Sequence, residues 1–216
     1  MINFTKFSNR KIPFNYTYMI NIDKSKNNSR IKQNIEKAKE GGSEYIVVCM
    51  HWGKEYSNKA NNQQKELVKL FYKLGVDLVI GTHPHVIQPV VWYKENNNNR
   101  KMLVFYSLGN YINATNRIGK GNYRLFCDGM AYIEIKRNNT TGKIETKTGK
   151  FVPLITHIEK DKDLVQTYLV KDYSPDLADE NRIINRTDST FNYKKMVKYF
   201  NNVITKEFLY FNFTNT

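Results

Sequence analysis

Gly75-Val76-Asp77-Leu78-Val79-Ile80-Gly81-Thr82-His83-Pro84-His85 decides how this chain is read. A short apolar run bounded by glycines has the length of a buried strand, and it ends on two histidines flanking a proline. Upstream, Asn61 to Leu74 carries Leu67, Leu70, Phe71 and Leu74 at helical spacing and stops at Gly75. Before that, Tyr45-Ile46-Val47-Val48-Cys49-Met50 is a second apolar run, leading into His51-Trp52-Gly53. The order is strand, helix, strand, and each strand delivers histidine at its carboxyl end. Such a crossover is right-handed with parallel strands, so His51 and the His83/His85 loop are expected on one edge of a sheet, where strand-end loops converge on a ligand.

The spacing has chemical content. Side chains two apart in an extended segment share a face, and Pro84 is expected to hold that segment extended, so His83 and His85 form a chelating pair. His51 would add a third nitrogen from the neighbouring strand end. A single histidine after a strand is usually a hydrogen-bonded loop residue, whereas a pair joined by a third points to a divalent metal.

Working outward, Ile31 to Glu40 puts Ile31, Ile35 and Ala38 on one stripe, with Ser29 as the cap and Gly41-Gly42 as the stop. Met102 to Tyr106 reads as the third strand, followed by Ser107-Leu108-Gly109-Asn110, which is either a tight turn closing the strand or a place where Gly109 lets the backbone pass close to a ligand and Asn110 offers both a donor and an acceptor. Glu95 to Arg100 is a solvated loop tip. Met130 to Lys136 and Lys143 to Lys147 alternate around a turn cluster at Asn138 to Gly142, as in a hairpin. Phe151 to Ile155 reads as an edge strand because of Pro153, and His157 as structural or exposed. Asp172 to Asp188 has the composition of a connecting loop. Tyr193 to Ile204 carries the apolar stripe of a final helix. The expected organisation is a lead-in over 1–30, an α/β core over 31–155 and an extension with one helix over 156–216.

The stretch from Tyr45 to Ala114 resembles the CapA family of poly-gamma-glutamate capsule synthesis proteins, whose domain is similar to calcineurin-like metallophosphoesterases. The resemblance rests on three motifs in the family's order: His51-Trp52-Gly53-Lys54-Glu55-Tyr56, then Gly75 to Pro89, then Phe105-Tyr106-Ser107-Leu108-Gly109-Asn110-Tyr111. It implies a partial metallophosphoesterase-like sandwich whose parallel strands carry the histidine loops, followed by an antiparallel hairpin and a C-terminal helix. It implies His51, His83 and His85 as ligands of divalent metal, with Glu55 and Asn110 as candidate catalytic groups. The four-residue step from His51 favours Glu55 as an orienting partner of an imidazole rather than a ligand.

The family's amino-terminal half normally supplies a Gly-Asp motif and an Asn-Asn-His motif for a two-metal centre, and neither occurs here. Residues 1–44 hold one aspartate, Asp23, and no histidine. The resemblance therefore implies the C-terminal piece of a metal-dependent hydrolase, completed by a missing half that could be separately encoded. The implied setting is the cell surface or the membrane-associated exterior, and the implied substrate is polyglutamate or a phosphate-containing molecule. The alternative is a non-catalytic cell-envelope module that binds an anionic polymer.

Composition bounds these readings. The chain has 216 residues, 40% of them hydrophobic, enough for one substantial core. The two cysteines make no disulfide framework. A net charge of +14 suits an anionic partner, yet 26 Lys against 8 Arg, dispersed along the chain, speak against a nucleic-acid interface. No apolar run reaches the ~18 to 20 residues needed to span a bilayer.

Overall fold

The computed structural model describes residues 1–5, 25–96, 99–159 and 164–213. Five strands, β1 (Ile2–Thr5), β2 (Val47–His51), β3 (Leu78–Thr82), β4 (Ile87–Tyr93) and β5 (Met102–Leu108), form a sheet in the order β1-β2-β3-β5-β4. Every pair is parallel except β4 with β5. Helices α1 (Ser25–Glu40) and α2 (Asn62–Lys73) cover one face. The apolar stripes foreseen in both turn to the core: Ile31, Ile35, Leu67 and Phe71 are buried, Ala38, Leu70 and Leu74 pack partly buried against them, and Val68 joins them. A reciprocal cap starts α2, in which Asn61 and Gln64 satisfy each other's backbone N–H.

The alternation along β5 separates two cores. Met102, Val104 and Tyr106 join the helical layer, whereas Leu103 and Phe105 face a second sheet. That sheet is antiparallel, ordered β6-β7-β8 from β6 (Cys127–Arg137), β7 (Ile144–Ile158) and β8 (Val165–Leu169). The sheets approach so closely that a Cβ on Gly149 of β7 would lie 2.1 Å from the Leu103 side chain. Beyond them, α3 (Pro175–Glu180), α4 (Ile183–Arg186) and α5 (Tyr193–Val203) complete the chain, and Met196, Tyr199 and Phe200 of α5 enter the core between the sheets.

Several expectations are corrected. Residues 1–30 are not a mere lead-in: Ile2–Thr5 pairs along β2, and α1 begins at Ser25, which places Ser29 inside the helix instead of at its cap. The polar stretch around Asp23 lies outside the described residues, as do residues 97–98 of the Asn-rich loop. Ile87–Tyr93, for which the sequence offered no reading beyond the motif, is a strand that accommodates Pro89 because it lies at the sheet edge, where a missing N–H is tolerated. Pro153 sits in a central strand, since β7 runs unbroken between β6 and β8. Tyr210 N–H donates to Phe151 O, and the β8 ladder starts only at Leu154, so Pro153 falls in the gap between these partners. No boundary falls at 155, which is inside β7, and the described residues beyond it hold three α-helices. Of these, α3 is built on the Ser174 cap and Pro175 within the stretch expected to be a loop. Of the two readings of His157 the structural one holds, since the ring is buried with its Nδ1 bonded to Tyr173 Oη at 2.8 Å.

Candidate metal centre

The three motif loops meet at the carboxyl ends of β2, β3 and β5. Trp52 extends the β2 pairing by one bond, its N–H donating to Thr82 O at 3.1 Å. Its buried indole lies across β3 and donates from Nε1 to Tyr106 O at 2.9 Å. Only glycine fits beneath: a Cβ on Gly81 would stand 2.4 Å from Nε1 and 2.1 Å from Tyr106 O. The chain then reverses through Gly53 and Tyr56, at φ +95° and +62°, and Tyr56 N–H donates to Pro84 O at 2.7 Å. The reversal carries Glu55 back over the His83-Pro84-His85 loop.

Buried amides hold this loop from behind. Gln64 Nε2 donates to Gln88 Oε1 at 2.8 Å, and Gln88 Nε2 donates to Ser57 O and Lys59 O. Asn58 continues the tie, donating to Ile87 O and Tyr199 Oη. Gln88 was read only as part of a motif; its signal is a polar residue within the apolar run of β4. Each of these buried polar groups needs its partner, so the relay specifies one loop shape.

Glu55, His83 and His85 each present a ligand atom, and these atoms all lie within 4.8 Å of one another. The His51 ring is 4.5 Å from that of His83, and His83 is 5.9 Å from His85, centroid to centroid. All three foreseen histidines are thus gathered, with His51 beside the tightest set and Glu55 inside it. Glu55 is nearer than its four-residue step from His51 suggested, because the intervening chain folds back. The His83-Pro84-His85 segment is also not extended: φ is +99° at His83 and +59° at His85. Among the described residues, the non-glycine positions with left-handed backbone are Tyr56, His83, His85 and Tyr111, all on the three motif loops. Such conformations cost about 1 to 3 kcal/mol each and gather where function demands them.

Asn110 sets the tautomer of His85. Its Nδ2 donates to His85 O and Leu125 O, which leaves Oδ1 as the group facing His85 Nδ1 at 2.7 Å. Nδ1 must then carry the proton, and Nε2 keeps its lone pair for a ligand. Asn110 therefore orients the imidazole of His85, a candidate ligand. Asp128, which the sequence did not single out, holds Asn110 in turn: Oδ1 accepts the Asn110 N–H at 2.6 Å. A Cβ on Gly109 would meet the same oxygen at 2.2 Å, so Gly109 admits the carboxyl. Burial pushes the Asp128 carboxyl up to about 8, against the lowering effect of backbone donors from Asn110 and Tyr111. Burial first, and then the nearby imidazole of His85, lower the pKa of His51, which favours the neutral imidazole that a metal requires. Two imidazole nitrogens and one carboxylate oxygen form a donor set suited to a single divalent cation with open positions.

Strand-end loops bearing these groups, on a parallel-strand sheet packed against an antiparallel one, define a mixed α/β protein with a partial metallophosphoesterase-like fold. Residues 4–115 match the family model for the bacterial capsule synthesis protein PGA_cap, and the chain belongs to this family, that of CapA. The match begins well before Tyr45, where the recognisable motifs start. The chain is similar to the capsule biosynthesis protein CapA of Bacillus anthracis, 31% identical over 158 residues, which are 69% of this chain and 35% of that protein. It is similar also to the PGA biosynthesis protein CapA of Bacillus subtilis (strain 168), 32% identical over 103 residues, 48% of this chain and 24% of that protein. The chain thus spans about a quarter to a third of these relatives' lengths. No helix among the described residues is long and apolar enough to cross a membrane.

Proposed function

We propose that Glu55, His83 and His85, with His51 alongside, hold a divalent cation, and that this centre serves hydrolysis or group transfer at a phosphate or amide group during synthesis of an anionic capsule polymer. The convergence of three ligand atoms within 4.8 Å carries the reading. The tautomer set on His85 by Asn110 supports it, as do the capsule-synthesis names of the relatives. A bound divalent ion would supply Lewis-acid polarisation of the scissile group. The chain's own part is to orient: Asn110 accepts from His85 Nδ1 and so turns Nε2 toward the ligand side, Trp52 and Gln88 fix the loop that bears Glu55, and Asp128 fixes the loop that bears Asn110. The charge of one carboxylate compensates a single cation better than a pair, so any second ion would need carboxylates from elsewhere.

Metal content of the purified chain, measured beside the double variant His83→Ala, His85→Ala, tests the centre. Near-stoichiometric metal in the wild type and almost none in the variant is the expected result; equal content ends the proposal. The net charge of +14 favours a second reading, a polymer-binding module in which lysines carry the affinity. Polyglutamate binding that persists in EDTA but falls steeply with salt would mark that case.

A further inference from the structure

Arg117 lies on the loop that follows Asn110, and its guanidinium carbon stands 4.0 Å from the centre of the Tyr56 ring. Tyr56 stacks in turn on His85, with centroids 5.9 Å apart and planes 26° from parallel. The arginine and a candidate metal ligand therefore share one aromatic neighbour. Other arginines are occupied: Arg124 bonds Asn58 Oδ1 and Gly121 O, and Arg186 bonds Asn116 Oδ1 and Ala114 O. The Arg117 side chain is exposed, and among the described residues its guanidinium has no hydrogen-bond or ion-pair partner.

Its backbone is tied down nonetheless. Arg117 N–H donates to Thr115 Oγ1, Asn122 Nδ2 donates to Arg117 O, and Gly119 N–H reaches Thr187 O. A planar cation is thus held over a ring by a pinned loop, with its N–H donors unspent among the described residues. That is a preorganised fork for an oxyanion.

We infer that Arg117 binds an oxyanion of the ligand one group removed from the group held at Glu55, His83 and His85, so that the site selects ligands with at least two neighbouring anionic groups. This rests on the metal-centre reading and names its substrate class. The second oxyanion can come from the next carboxylate of an acidic polymer or from a linked phosphate, which share the chemistry of a bidentate partner for guanidinium.

Calorimetric titration of the Mn2+-loaded chain with a glutamate oligomer and with pyrophosphate tests the inference, using wild type, Arg117→Gln, Arg117→Lys and the control Lys194→Gln. The control removes the same charge from an exposed position on α5. Arg117→Gln should weaken at least one probe by roughly tenfold, with partial recovery in Arg117→Lys and no change in the control. Because the side chain is exposed, the variants should melt with the wild type. A loss confined to the oligomer assigns the carboxylate polymer, and one confined to pyrophosphate assigns linked phosphate. Equal affinity in wild type and Arg117→Gln for both probes, or no binding of either to wild type, overturns the inference. Arg117-dependent binding that survives EDTA would keep the arginine site while ending the metal centre. Metal binding lost in the His83/His85 double variant, with anion affinity indifferent to Arg117, would do the reverse.

Discussion

A proton on Asp128 stabilises this fold. With its pKa raised to about 8, the carboxyl is neutral in the folded chain under conditions where the unfolded chain has released its proton. The folded state therefore binds the extra proton between the ordinary carboxylate range and pH 8. The resulting stability is fully present below about pH 4 and is lost as pH rises through 8, at about 1 kcal/mol per pH unit. Guanidinium unfolding at pH 5, 6.5 and 8 should show this decline in wild type and a flatter profile in Asp128→Asn, whose Oδ1 can still accept from Asn110. A slope unchanged by the substitution would mean that another group is responsible. At this scale the three histidines were legible because each closes an apolar run, and spacing along the chain is what a sequence displays directly. Asp128 and the true position of Glu55 were not, because both depend on loops that reverse at Gly109, Gly53 and Tyr56.

Among the elements, β4 and α2 govern a loop that belongs to neither. The Gln64–Gln88 amide pair spans from helix to strand, and Gln88 also donates to the carbonyls of Ser57 and Lys59. Gln88→Leu should cost about 1 to 3 kcal/mol by leaving those groups unpaired in a buried place. It should also weaken metal binding by tenfold or more, although no ligand is touched, because Glu55 loses its support. Competition against a chromogenic chelator measures the second effect, and faster hydrogen exchange in residues 54–59 should accompany it. Unaltered metal affinity would show that the loop keeps its shape unaided. Periodicity identified α2, α5 and the three motif-bearing strands, since each buries one face. It did not reveal β4, read only as part of a motif, and it put the middle of β7 at a sheet edge, because where Pro153 is tolerated depends on partners far along the chain.

For the molecule as a whole, the decisive contact is between sheets. Gly149 and Leu103 meet where β7 crosses β5, with no room for even a methyl group. Gly149→Ala should cost about 1 to 3 kcal/mol through overpacking, lowering the melting temperature by several degrees. Gly142→Ala makes a useful comparison, because its φ of +69° carries a backbone cost while nothing lies within 4 Å of the added carbon. If Gly149→Ala melts no lower than Gly142→Ala, the two layers are less tightly apposed than described. The α/β class followed from the strand, helix, strand order, but the division into a core and a one-helix tail did not survive. The pieces of the tail, β8 and α3 to α5, contribute to the same core as Leu103 and Phe105, through contacts far apart in sequence.

The left-handed backbone at Tyr56, His83, His85 and Tyr111 has an evolutionary corollary. At each of these positions glycine would ease the main chain, so at His83 and His85 the substitution that most relaxes the fold is the one that removes a candidate ligand. Drift toward a sturdier scaffold would dismantle the centre first. A descendant that had surrendered its chemistry should carry glycine at those two positions and melt higher for it.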